Sequence, residues 1–381
     1  MVSYEAARGG VTVCEITGGT VGDGLLGEVR NFMNILLIKQ TSLGDVVHAT
    51  APIRSVRMAH PDAVITVLTS TTASDILRNN PDVDHLLTFD RYRVKSHWWR
   101  RPLWTIGHFM STLSAVREQR FDLALDLQGS WKTVIFLWAA RAGRRFVKGR
   151  WWFARRFHQP MAHAVDEMGG VLELAGIKPC QSLPILIIDS RAADAVSGML
   201  KEWPLRNKPI ALFCPVTRWP TKNWPISEFV VLARELTDDF QVVFTGSPGD
   251  RSQIEHAIAG LSPACAENLA GRLSLLEFFA LAERSDLVVT GDSLPMHVAS
   301  ALDRPLVSLF GPTDESLVGP RNDTAEIVRA AVDCQRCYRR HRCSRGCIDQ
   351  ITVKQVRDAI QRVVGPCGSQ DHSTAPEGRG Q

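Results

Sequence analysis

The chain has 381 residues, of which 45% are apolar and 22% charged. That is too long for one ordinary core and fits two domains, each able to bury its own. A net charge of +4 is too small to argue nucleic-acid binding, and no apolar run approaches the roughly 20 residues a membrane-spanning helix needs.

Residues 1–32 carry Gly9, Gly10, Gly18, Gly19, Gly22, Gly24 and Gly27 among acidic residues and lack the basic-then-apolar pattern of a secretory signal. They read as a disordered extension or a misplaced start ahead of a cytoplasmic protein whose folded part starts at Met33. Nine cysteines, five of them scattered singly, do not form a secreted disulfide framework.

From Asn34 to Ile188 short apolar runs alternate with helical spacing. Strands are expected at Ile35 to Ile38, Val64 to Leu68, His85 to Phe89 and Leu123 to Leu127. Helices are expected at His48 to Ala59, Asp75 to Asn79 and Leu103 to Arg120. The first strand ends in Thr41-Ser42-Leu43-Gly44-Asp45, a small-residue turn at the carboxyl end of a strand, where open α/β sheets keep their ligands. The plainer use of Asp45 is to cap the helix that follows.

Two basic, aromatic stretches interrupt this half. Arg91, Arg93, Lys95, Arg100 and Arg101 flank Trp98 and Trp99, and Arg141, Arg144, Arg145, Lys148, Arg150, Arg155 and Arg156 surround Trp151 and Trp152, with no acidic residue in either. Cations beside indoles suit an anionic membrane surface or a phosphorylated lipid. Single-stranded nucleic acid wants the same chemistry, but no nucleic-acid motif accompanies it.

After a linker at 189–208, with a polar helical segment from Arg191 to Trp203, the rhythm restarts. Strands are expected at Ile210 to Cys214, Gln241 to Thr245, Leu287 to Thr290 and Leu306 to Phe310. Helices are expected at Ser227 to Thr237, Ser252 to Leu261, Ser274 to Arg284 and Pro295 to Leu302. Strands separated by helices imply parallel, doubly wound sheets, so both halves belong to the same α/β class. The second would span 209–364, its last helix free to return to the first domain, ahead of a disordered Gly/Ser/Pro-rich tail at 365–381. Neither half has GxGxxG or GxxxxGK[ST].

Three strand ends of the second half carry chemistry. Thr217, Arg218 and Lys222 supply a hydroxyl and two cations that suit a departing diphosphate. Gly291-Asp292-Ser293 leads into a helix at Pro295, with His297 on its first turn, and backbone amides there favour an anion. An Asp/Ser cap followed by proline explains Asp292, Ser293 and Pro295 without function, but not His297. Gly311-Pro312-Thr313 closes the next strand with a free hydroxyl.

Together SLGDVVHATAPIRS at 42–55, FDLALDLQGSWKT at 121–133, TRWPTKNWP at 217–225, DLVVTGDSLPMHVASALDRPLVSLFGPTD at 286–314 and the terminal cysteine region resemble glycosyltransferase family 9, the ADP-heptose:lipopolysaccharide heptosyltransferases. The resemblance runs from Met33 to about Val364. It implies a GT-B architecture, two Rossmann-like domains facing a cleft, with the acceptor on 33–188 and the nucleotide sugar on 209–364. It also implies inverting transfer of heptose from ADP-heptose to the lipopolysaccharide inner core, with Asp45 as general base and no cofactor required.

By the same resemblance, Thr217 and Lys222 hold the ADP phosphates, and Asp292, Ser293 and His297 line the sugar pocket. Gly246 and Asp250, in TGSPGD, lie where the family contacts the ribose. The chain departs from many members at Leu294, where they carry Gly, which leaves a different donor sugar as one alternative. A non-catalytic protein that binds nucleotide sugar or anionic lipid is the other. Both basic stretches fall in the acceptor domain, which points to a peripheral position on the cytoplasmic membrane and a lipid A core acceptor, with no nucleic acid. Cys334, Cys337, Cys343 and Cys347 allow a structural zinc site, though the central spacer is shorter than a zinc-ribbon loop; reduced thiols fit better.

Overall fold

The computed structural model describes residues 32–97, 99–157, 163–203, 208–262, 266–334 and 336–365. The expected extension through residue 31, the tail from 366 and Trp98 lie outside the described residues. The described residues from Met33 on form one compact unit built on two sheets.

The first sheet takes in β1 (Asn34–Ile38), β2 (Val64–Ser70), β3 (His85–Phe89), β4 (Arg120–Asp126), β5 (Arg141–Lys148) and β6 (Arg155–Phe157). Its helices are α1 (Leu43–Ala59), α2 (Ser74–Leu77), α3 (Arg91–His97), α4 (Pro102–Glu118), α5 (Trp131–Ala139) and α6 (Ala164–Leu174). All its strands are parallel, in the order β3-β2-β1-β4-β5-β6. Ile35 and Leu37 face a core shared with α1 and α6, whereas Leu36 and Ile38 face one shared with α4 and α5. A strand buried on both faces has to be continuously apolar, as this one is.

The expected linker holds α7 (Ser190–Lys201), capped by Asp189, whose Oδ1 accepts from Ala192 N at 3.0 Å. The second sheet follows with β7 (Ile210–Cys214), β8 (Gln241–Phe244), β9 (Ala266–Asn268), β10 (Leu287–Gly291), β11 (Leu306–Phe310) and β12 (Ala325–Arg329). Its helices are α8 (Ile226–Leu236), α9 (Arg251–Ile258), α10 (Leu275–Glu283), α11 (Leu294–Ala301), α12 (Glu315–Val318) and α13 (Val353–Val364). Its parallel order, β12-β11-β10-β7-β8-β9, repeats that of the first sheet. α13 does not return to the first domain as the sequence allowed: Val356, Ala359 and Ile360 join the core of the second sheet with Trp224 and Phe229.

Both sheets reverse direction of winding between their first and fourth strands, β1 and β4 in one, β7 and β10 in the other. Such switch points open a crevice beyond the carboxyl strand ends. The two sheets meet through α1 against α11, and one apolar core runs from Val46 and Ile53 into Met296, Val298 and Ala299.

Candidate functional site

Asp45 occupies the third position of α1, and its plain use is realised. Its Oδ2 accepts from Ser42 N at 2.6 Å and Ser42 Oγ at 3.0 Å, closing a capping box. This leaves Oδ1, which lies 4.0 Å from Lys39 Nζ. Burial alone raises the Asp45 pKa, but Lys39, the two Ser42 hydrogen bonds and His297 outweigh it, so the group sits below the ordinary carboxylate range. Asp45 is therefore ionised at neutral pH, with one oxygen committed to the helix and one uncommitted to it.

The neighbouring strand end supports this turn. Ile38 and Asp126 pair in register at the ends of β1 and β4. Asp126 Oδ1 accepts from Gln128 N and Gly129 N, both at 2.9 Å, and Gln128 Oε1 in turn accepts from Gln40 N at 2.9 Å and Thr41 N at 3.0 Å. Asp126 is wholly buried and its Oδ2 has no hydrogen-bond partner; burial pushes its pKa up to about 6. Lys39 is also buried, which lowers its pKa, while Asp45 acts the other way. Lys148 pairs with Glu167 and adds to the charge around Lys39. Sequence reasoning missed Lys39, Asp126 and Gln128. The available signal was a charged residue at the end of each of two adjacent apolar strands.

In the second domain three loops converge at the other switch point. Lys222 Nζ donates to Asp292 Oδ2 at 2.5 Å and lies 4.3 Å from the centroid of the Trp219 ring. Thr313 Oγ1 donates to the same Asp292 oxygen at 2.7 Å. Gly291 and Gly311 permit this convergence: a Cβ would lie 2.7 Å from Lys222 O at the first and 2.9 Å from Thr221 O at the second. The structure thus brings Lys222, Asp292, Gly311 and Thr313 together.

The remaining expected donor residues take varied positions. Thr217 braces its own loop, donating Oγ1 to Trp219 O at 3.0 Å and N to Asn223 Oδ1 at 2.8 Å. Ser293 is the N-cap position of α11, with Oγ 3.4 Å from Gly291 O, and Arg218 is exposed. Asp250 caps the turn after β8, Oδ2 accepting from Ser247 N at 2.7 Å and Ser247 Oγ at 2.6 Å, with Gly246 beside it. This pair therefore lies at the end of β8, one strand over from β7.

His297 joins the two halves. It is buried on the first turn of α11, and Gly44 of α1 abuts its ring. His48 stacks edge-on at 4.4 Å between centroids, and His163 lies 5.1 Å from His48. His163 Nδ1 accepts from Val165 N at 3.2 Å, so Nε2 carries the proton and donates to Gly319 O at 3.1 Å, across the domain seam. Arg321 and Asp166 pair across the same seam. Burial lowers all three histidine pKa values, His163 to about 4 with help from Arg321, so all three are neutral at pH 7. His48 and His163 went unnoticed in the sequence, because a buried histidine inside or capping a helix has no distinguishing spacing.

The basic stretches divide. Arg93, Trp99 and Arg144 are exposed and Arg91 is half-buried. Arg145, by contrast, points inward and donates to Leu137 O at 3.2 Å and Ala140 O at 2.6 Å, capping α5. Trp151 Nε1 donates to Gly129 O at 3.0 Å, and Lys148 is held by Glu167. These three are built into the fold, which corrects their reading as open surface.

Cys334, Cys337, Cys343 and Cys347 are half-buried free thiols. Among the described residues no three His, Cys, Asp or Glu side chains are placed to hold one metal ion. Two ion pairs and a hydrogen bond anchor this segment: Arg336 meets Asp314 at 3.0 Å and Glu315 at 2.8 Å, and Thr221 Oγ1 donates to Arg339 O at 2.5 Å.

Comparison with known proteins places this geometry in context. Residues 110–348 match the profile described as Glycosyltransferase family 9 (heptosyltransferase). The lipopolysaccharide heptosyltransferase 2 of Salmonella typhimurium is 28% identical over 321 residues, 78% of this chain and 88% of that relative. The lipopolysaccharide heptosyltransferase 1 of Pseudomonas aeruginosa is 27% identical over 331 residues, 81% of this chain and 87% of that one. Among solved structures, E. coli ADP-heptose lps heptosyltransferase II superposes with a TM-score of 0.71 at 24% identity, covering 87% of this chain and 98% of its own. A family 9 glycosyl transferase from Veillonella parvula gives 0.77 at 20% identity, covering 87% and 97%.

Proposed function

The chain belongs to glycosyltransferase family 9, and from that premise we propose that it transfers heptose from ADP-heptose to an inner-core sugar of lipopolysaccharide, with Asp45 as the general base. The observation that supports this reading is the seam at Gly44 and His297: the residue before Asp45 abuts the His297 ring, and the charges acting on that ring are Asp292, Asp45 and Lys222. A base and an anion cradle on two faces of one crevice are what a single displacement requires.

In that displacement the acceptor oxygen attacks the anomeric carbon and its proton passes to Asp45 Oδ1. The bond from the anomeric carbon to the ADP phosphate oxygen breaks, inverting the centre. Lys222 offsets the charge left on the diphosphate, and the amides opening α11 add the positive end of that helix. An ionised Asp45 can take the acceptor hydroxyl's proton as the new bond to the anomeric carbon forms and makes that hydroxyl acidic, and anionic ligands beside Asp45 raise its pKa toward the working pH. Asp292 is held by Lys222 and Thr313, ready to accept from sugar hydroxyls.

The relatives' shared use of lipopolysaccharide supports the acceptor class, and the exposed cations of the first domain support a peripheral position at the inner face of the cytoplasmic membrane. Leu294, at the start of α11, favours testing other ADP-sugars beside ADP-heptose.

The test is Asp45→Asn, which keeps an acceptor oxygen for Ser42. ADP release with a lipopolysaccharide acceptor should fall by roughly 10²-fold or more while ADP affinity is retained. Undiminished turnover would remove Asp45 from the mechanism.

A further inference from the structure

The first domain carries an outer apolar surface to which no residue assigned above to the transfer reaction belongs. α4 and α5 cover the sheet face opposite α1 and α6, turning Val116, Val134, Phe136 and Leu137 in toward Leu36, Ile38 and Ala124. The outward faces of such helices are ordinarily polar. Here Leu103, Ile106 and Met110 line the outside of α4, and Trp131, Ile135 and Trp138 the outside of α5. All six are between 38% and 85% exposed. Their spacings, i, i+3, i+7 and i, i+4, i+7, put each trio on a single stripe. The only other exposed side chain on α5 is Lys132, whose Nζ lies 5.4 Å from the Trp131 ring centroid. The two helices are in contact, so the stripes adjoin, and an apolar surface of this extent marks a contact site.

Charge selects the occupant. No acidic residue occurs from Arg91 to Arg117 or from Leu127 to Phe157; α4 ends in one exposed acid, Glu118, which accepts from Ser114, against the exposed Arg100, Arg101, Lys132, Arg144, Arg155 and Arg156. A second copy of the same face would set cation against cation. An anionic bilayer satisfies both parts at once, with indoles and aliphatic side chains at the acyl boundary and cations among the phosphates.

We propose that the outward faces of α4 and α5 are the docking surface of this protein for an anionic lipid bilayer. α5 begins directly after the loop whose Gln128 holds the backbone of Gln40 and Thr41, so Trp131 stands at the same carboxyl sheet edge as Asp45. Docking there brings that edge to the headgroups, where a lipid-borne acceptor is presented. The proposal gives the peripheral placement its contact elements and is independent of the role of Asp45.

The experiment is cosedimentation of the full chain with vesicles of phosphatidylglycerol and phosphatidylethanolamine, against phosphatidylcholine alone. Two double variants are compared, Trp131→Ser with Trp138→Ser, and Ile106→Glu with Met110→Glu. The unaltered protein should partition to the anionic vesicles, less so as salt rises, and each variant at least about tenfold less. Unchanged melting temperature and ADP affinity establish that the variants fold. Variants that partition like the unaltered chain would overturn the proposal, as would an unaltered chain that ignores anionic vesicles or a dimer that the substitutions split. Asp45→Asn should bind vesicles normally without transferring sugar. Variants that fail to dock yet turn over a short soluble acceptor leave the transferase reading standing.

Discussion

Gly44 at the start of α1 and His297 on the first turn of α11 touch across the seam between the two domains: a Cβ on Gly44 would lie 2.7 Å from His297 Nε2. Both are buried, so neither has room to yield.

Gly44→Ala should therefore pry α1 from α11 and displace Asp45 from the donor loops. Overpacking of this kind costs about 1–3 kcal/mol, and a small misplacement of a catalytic group costs rate as well. Thermal unfolding should show the first loss and ADP release the second, with ADP affinity changed far less than turnover. Full activity in Gly44→Ala would mean that the seam opens during the reaction.

Lys39 Nζ is ion-paired with Asp45 Oδ1 at 4.0 Å. Lys39→Gln removes the attraction that lowers the Asp45 pKa, so the acidic limb of kcat/KM should move to higher pH while the alkaline limb stays. A merely structural lysine would lower the whole profile without shifting it.

Lys222 and Asp292 are both largely buried and bonded at 2.5 Å. Lys222→Met leaves Asp292 without its cation, which should cost about 3–5 kcal/mol of stability in addition to the loss of diphosphate binding. Pairing it with Asp292→Asn should restore most of the stability and none of the ADP affinity. Calorimetric titration with ADP and thermal unfolding separate the two effects.

Asp126 gives a pH signature with a defined sign. Its pKa of about 6 in the folded protein exceeds its ordinary 3.8, so the folded chain holds this proton more tightly than the unfolded one. The ionised form thus carries a folding penalty that is absent below pH 3.8, grows between pH 4 and 6, and is complete above 6, on the order of 2–3 kcal/mol. Asp126→Asn keeps an oxygen for Gln128 N and Gly129 N. It should raise the melting temperature at pH 8 by several degrees and have little effect at pH 4.

The strands were legible wherever burial on both faces forces an uninterrupted apolar run. Ile210 to Cys214 and Leu306 to Phe310 have the expected bounds, as does the edge strand His85 to Phe89, where only Phe89 is buried. β5 and β6 were not, because Arg144, Arg145, Arg155 and Arg156 sit within them and read as charged surface. α5 was missed for a different reason: with Trp131, Ile135 and Trp138 outside and Val134, Phe136 and Leu137 inside, it has no polar side to set a helical period. The donor loops were visible as hydroxyls, glycines and cations at strand ends. The histidine cluster was not, since His48, His163 and His297 are 249 positions apart at the extremes and only the folded chain joins them.

The capping box at Asp45 has a stereochemical corollary. With Oδ2 fastened to the backbone and hydroxyl of Ser42, the proposed base cannot swivel to meet its substrate, and only Oδ1 can receive a proton. An incoming sugar then has to offer its hydroxyl along one line of approach, and an epimer that points the same group elsewhere loses proton transfer even if it binds. On this reading, regiochemistry is imposed by the first turn of a helix, and loops that grip the acceptor can vary without changing which bond is made.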